Sequence, residues 1–114
     1  MIRFRPIPKQ VLIHSVSHGY GTPVLDVYQN ETFPNSRTIT FVRVDPVSKR
    51  VLSKDSQEAQ LNALLYYDAV NSLPTGISFA RGDLITFNGI PYRVETVEPI
   101  YDAGRLHHAE IGLI

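Results

Sequence analysis

The sequence has no cysteine. Disulfide staples and thiolate zinc sites are therefore excluded. An excess of either charge is also missing: 11 Lys+Arg stand against 11 Asp+Glu, and the isoelectric point is about 6.9. Proteins that grip nucleic acid through its phosphates carry a basic surplus, so a duplex reader is not expected. A net charge near zero leaves little repulsion between copies, which suits a subunit that packs against others. Long hydrophobic runs are absent as well, and none approaches the roughly 18 residues that cross a bilayer. The opening MIRFRPIPKQ has arginines but neither an apolar run nor a small-residue cleavage site. No signal peptide is read there, and a soluble chain made in the cytoplasm is expected, with no membrane partner.

What is present is the composition of one globular domain. The 114 residues, 43% hydrophobic and 19% charged, suit a single modest core rather than separate catalytic and binding domains. Pro6 and Pro8 favour an extended arm over residues 1–9. Strand candidates follow at 10–18, 24–33 and 37–46, separated by the turns GYGTP and FPNS. In the third, Ile39, Phe41 and Arg43 alternate against Thr38, Thr40, Val42 and Val44, and Asp45-Pro46 is expected to end it. Residues 48–60, SKRVLSKDSQEAQ, mix both charge signs with few apolar anchors. They are expected as a long exposed loop, with at most a short strand through Val51-Leu52.

The stretch LNALLYYDAVNS (61–72) fits a helical spacing and a strand alternation alike, and its tyrosine pair and β neighbours favour a strand. In ITFNGIPYRV (85–94), Asn88-Gly89 is the preferred pair for a two-residue type I′ hairpin, with Phe87 opposite Ile90 and Ile85 opposite Tyr92. Val94 and Val97 differ in parity, which predicts a bulge near Glu95-Thr96. EPIYDAG (98–104) reads as a turn and RLHHAEIGLI as the last strand. With no internal repeat and no long helix, the expected fold is all-β. It is a small antiparallel barrel of six or seven strands, one domain over 1–114, with a long polar loop.

The last strand holds the residues closest to a chemical motif. Alternation sets His107 with Ala109, Ile111 and Leu113 on one face, and His108 with Glu110 on the other. The two histidines are thus expected to point apart, and His108 with Glu110 falls one ligand short of a usual catalytic metal. His14 lies within a strand, and His18 beside the GYG turn is expected in solvent. Acid pairs such as Asp83/Glu95 and Asp26/Glu31 come with no visible cleft. No serine sits in G-x-S-x-G, and neither a Walker A nor a dinucleotide fingerprint occurs. An enzyme is disfavoured, and no cofactor or metal is expected. Tyr66, Tyr67 and Tyr101 are read as subunit-interface candidates, since amphipathic aromatics are enriched at interfaces.

The segments LNALLYYDAVNSLP and GDLITFNGIPYRVETVEPIYDAGRLHHAEIGLI resemble the small minor capsid proteins of tailed phages and prophages of Gram-positive bacteria. The similarity runs from VLIHSVS to the end and is weakest over 48–60. Its most distinctive part is the tail, here Ile100-Tyr101-Asp102 and then Arg105 through Leu113, with Ala109 where an aromatic is expected. The resemblance implies a head-completion, or head–tail connector, subunit that forms a ring below the portal and its adaptor and meets tail proteins. It also implies a long loop that reaches toward the channel and, in the stopper type, closes it over packaged DNA. Lys49, Arg50, Lys54, Asp55, Gln57 and Glu58 are the channel-loop candidates on that reading. The missing basic surplus agrees, because DNA that must slide through should not be held by its phosphates. Two other classes stay open: a monomeric barrel adaptor for a peptide or single-stranded nucleic acid, and a metal-assisted hydrolase using His108 and Glu110.

Overall fold

Alternating apolar and polar residues give eight strands among the described residues, which are 5–52 and 58–114 of this computed structural model. They are β1 (His14–Tyr20), β2 (Val24–Leu25), β3 (Glu31–Thr32), β4 (Asn35–Leu52), β5 (Glu58–Asp68), β6 (Leu84–Phe87), β7 (Ile90–Asp102) and β8 (Arg105–Leu113). Six of them close into an antiparallel barrel in the order β1-β4-β5-β8-β7-β6, with β6 returning to β1. The expected all-β barrel is what the chain forms. Closure leaves the barrel wall no free edge to template pairing with another chain. β2 and β3 form a separate short ribbon between β1 and β4.

The core follows from side-chain parity. On β5, Leu61, Ala63, Leu65 and Tyr67 turn inward while Asn62, Leu64 and Tyr66 do not, which makes 58–68 a strand and not a helix. Ile39, Val42, Val44, Ile85, Val94, Ile111 and Leu113 complete the interior. Burying each such aliphatic side chain stabilises the fold by about 2 kcal/mol, against roughly 1 kcal/mol or less for an exposed ion pair. Apolar burial therefore holds the barrel. The Asn88-Gly89 turn has φ of 52° and 77°, and the predicted register of β6 on β7 is observed, as is a shift between Val94 and Thr96.

Several expectations are corrected. Phe41 does not share the inner face with Ile39. Its φ is +56°, the register slips between His14 and Ser15 opposite, and Val42 and Val44 turn inward in its place. The first strand starts at His14, because Pro8 and Lys9 carbonyls hold residues 11 and 12 in a turn. The second is not one strand over 24–33 but the β2–β3 ribbon, folded about Asp26. Asp45-Pro46 does not end β4; a bulge between Pro46 and Lys49 accommodates the proline and the strand runs on. Residues 98–104 are not a turn either. β7 continues to Asp102, and Ala103 and Gly104, at φ 50° and 79°, make a tight hairpin into β8.

The largest correction concerns 48–60. Lys49, Arg50, Val51 and Leu52 pair with Leu61, Gln60, Ala59 and Glu58, so most of the expected loop is a two-stranded arm. Within the described residues the arm pairs with no third strand: β8 joins β5 from Ala63 onward, and β1 joins β4 only up to Val42. Lys54, Asp55 and Gln57 lie outside the described residues.

Candidate functional surfaces

His18, expected in solvent, is fully buried on the inner side of β1. Its Nε2 lies 2.8 Å from Oδ2 of Asp83, and Arg37 donates Nε–H to its Nδ1 at 3.2 Å. The rings of Tyr20 and Phe79 flank it at 5.1 and 4.7 Å. Burial lowers the His18 pKa below the ordinary value, and Asp83 opposes that only in part. The same Asp83 oxygen accepts the N–H of Ala80, so the cluster ties the segment before β6 to the barrel wall. An Asp–His pair resembles part of a hydrolytic triad, but here both ring nitrogens are occupied and the ring is fully buried. It is a buried clamp.

A second cluster gathers the N-terminal arm. Asp68 is buried at the end of β5, where its carboxylate accepts the N–H groups of Ile7, Val70 and Asn71 at 2.8, 2.9 and 2.7 Å. Asn71 donates in turn to the Ile7 carbonyl at 2.8 Å. His107 and His108 belong to the same region, and they do not point apart. Their Nδ1 atoms are 2.8 Å from one another, His108 Nε2 is 2.9 Å from Glu110, and His107 Nε2 meets the Arg5 carbonyl. Alternation fixes the direction of Cβ, but an imidazole near a hairpin end swings far enough to meet its neighbour. The network fastens the N-terminal arm to β8. Among the described residues no three of His, Asp and Glu are grouped to hold an ion.

The tyrosines divide. Tyr67 is inside the barrel, its hydroxyl donating to the Pro74 carbonyl at 2.5 Å, so the expected interface role does not hold for it. Tyr66 is half-buried, with its pKa raised first by burial and then by the Glu110 charge. Tyr101 is 65% exposed on β7. Of the channel-loop candidates, Lys49, Arg50 and Glu58 stand on the β4–β5 arm, where Arg50 and Glu58 form an exposed ion pair at 3.5 Å.

Sequence reasoning missed the His18 clamp, whose only local signal was its inward parity with Val16. It also missed the ribbon tip, where Val27 and Tyr28 are 87% and 82% exposed. Asp26 accepts the N–H of Tyr28 and of Asn30 at 2.8 and 2.9 Å, and those bonds lower its pKa, that from Asn30 most.

The buried polar groups of this closed barrel clamp its own segments, and its exposed features include an arm and an apolar tip. The family model for minor capsid proteins matches residues 8–113, and the chain belongs to that family. It is a phage minor capsid protein, a structural component of the virion. No curated protein matches the sequence.

Proposed function

We propose that this chain is a head-completion subunit of a tailed phage or prophage with a Gram-positive host. Copies form a ring below the portal, in contact with portal or adaptor proteins above and tail proteins below. DNA crosses the ring without specific binding, and the β4–β5 arm reaches toward the channel. The observation that carries this reading is the arm itself: paired strand with polar, two-sign side chains, attached to a barrel that does not need it for closure. Such a segment adds little to the core. A ring of copies would bring many arms to one axis, where individually weak contacts act together as a gate. Tyr101 and Tyr66 remain the aromatic candidates for contacts between subunits.

The test shortens the arm in register. Arg50 and Gln60 are partners, so replacing residues 51–59 with Asn-Gly keeps the ladder and closes it with a two-residue turn. The variant should fold, enter particles and support DNA packaging, and the heads should then lose DNA before tails attach. Heads that retain DNA as well as wild type would remove the arm from the gate. Loss of folding would show the arm to be part of the core.

A further inference from the structure

We infer that the β2–β3 ribbon of one copy plugs a cavity at the opposite end of the β1–β4 ladder on the next copy, a head-to-tail contact. This names surfaces for the ring proposed above, and it rests on that reading for the ring's place in the virion. The ribbon tip carries the most exposed large apolar pair of the described chain, Val27 and Tyr28. It is also preformed. Asp26 fixes the turn through two backbone N–H groups, and the Asp26 N–H donates to the Asn30 carbonyl at 3.0 Å. The base is fastened by Arg93, which pairs with Glu31 at 3.0 Å and lies over the Phe33 ring at 5.2 Å. A tip held this way loses little conformational entropy when it docks.

The matching feature is a cavity of about 310 Å³ lined by Ile7, Val11, Leu12, Arg43, Asp45 and Tyr66. It lies at the small end of ligand cavities, roughly 300–1,000 Å³, a size for one or two side chains. Its floor is apolar, and the Arg43–Asp45 ion pair at 2.8 Å gives a phenol hydroxyl both a donor and an acceptor. Charge is complementary too. The tip carries the Asp26 carboxylate, while Lys9, over the Phe41 ring at 5.0 Å, flanks the cavity from the arm between Ile7 and Val11.

Position decides the occupant. The ribbon leaves the ladder where Tyr20 pairs with Asn35, and the cavity lies beyond the pairing of His14 with Val42. From Asn35 to Arg43 the strand covers about 26 Å at roughly 3.3 Å per residue. No ribbon residue lines the chain's own cavity. Plug and socket on different surfaces make a heterologous contact, the kind that closes rings when its rotation allows.

Because the chain has no cysteine, two introduced thiols report the contact cleanly. Val27→Cys and Val11→Cys together, treated with a short bis-maleimide, should give a ladder of multimers in purified particles and in concentrated free protein. A mixture of the two single variants should stop at dimers. The pair Val27→Cys with Val70→Cys, also on exposed positions, should give at least tenfold less product, and Tyr28→Ser should reduce the ladder similarly. Dimers formed by Val27→Cys alone as readily as by the mixture would mean tip-to-tip packing and overturn the proposal. So would a yield no higher than the Val70 control in particles that hold the chain at wild-type copy number, and the ring would then use other surfaces. Cross-linking of Val27→Cys to a different virion protein would give the tip another partner and equally overturn it. Absence of the chain from particles, with the ladder present in free protein, would count against the head-completion reading and leave the contact standing.

Discussion

Arg37 and His18 are joined through Nε and Nδ1 at 3.2 Å, which leaves the ring proton of His18 on Nε2, toward Asp83. The neutral ring is the form the fold keeps, because burial outweighs the carboxylate and holds the pKa below 6.5. The unfolded chain takes up a proton near 6.5 while the folded chain does not, so acid favours unfolding. Stability is complete above that value and falls as the pH drops toward the lowered folded value, below which the slope from this group vanishes. NMR titration of His18 should give a midpoint below 6.5, and denaturation midpoints should decline over the same window. A midpoint above 6.5 would mean that Asp83 prevails and the pair is ionic.

Gly112 should not tolerate a side chain. A Cβ there would meet both Leu61 methyl carbons at 2.8 and 2.9 Å and collide with the Thr96 hydroxyl at the β7 bulge. Gly112→Ala is expected to cost about 1–3 kcal/mol, the range for overpacking a filled interior. Chemical denaturation reads this directly, and a change below the error of the method would show that Thr96 moves aside freely.

Gly89 supplies the contrast. Its Cβ position is open, and only its φ of +77° opposes substitution. Gly89→Val should cost about 1 kcal/mol or more through backbone strain alone. Gly89→Asn, compatible with the left-handed region, should recover most of that loss.

Removing the Asp68 carboxylate should release the N-terminal arm. Asp68→Ala strips three backbone N–H groups of their acceptor, those of Val70 and Asn71 within the turn and that of Ile7 in the arm. The expected loss is about 3 kcal/mol, in line with unsatisfied buried donors. Proteolysis near residue 7 should accelerate more than proteolysis elsewhere, and uniform acceleration would point to global unfolding instead.

Chelation should do nothing to the fold. The nitrogens of His107 and His108 are engaged with one another, with Glu110 and with the Arg5 carbonyl, so no ring lone pair faces outward for an ion. The thermal midpoint is expected to be the same with and without EDTA, and elemental analysis should find no stoichiometric zinc, manganese or iron. One metal per chain, lost in His108→Ala, would refute the fastener.

Legibility in the sequence followed the range of the interactions involved. Asn88-Gly89 was readable because its conformation is set by those two residues. Phe41 was not, since its positive φ goes with bonds to distant partners: its carbonyl accepts the Ser72 hydroxyl, and Thr40 pairs with Leu73. His18 misled because the glycines beside it suggest an exposed turn, while its partners Arg37 and Asp83 lie 19 and 65 residues away. The polar composition of 48–60 correctly indicated exposure, but an exposed two-stranded arm and an exposed loop have the same composition. Only the pairing of Lys49–Leu52 with Glu58–Leu61 separates them. Tyr66 and Tyr67 were one pair in the sequence and are opposite faces of one strand in the fold.

The closure of β1 on β6 also sets an order in time. β1 is made well before β6, so Ser17 and His18 find their partners only when Thr86 and Ile85 have been made. At roughly 5–20 residues per second, that delay is about 3–13 s. During it the sheet is an open ribbon with an unpaired edge on β1, on a chain whose neutral net charge does little to keep sister copies apart. Closing so long a loop is slow for entropic reasons. Only when the barrel has finished its own circle is that edge of β1 hidden from a neighbour.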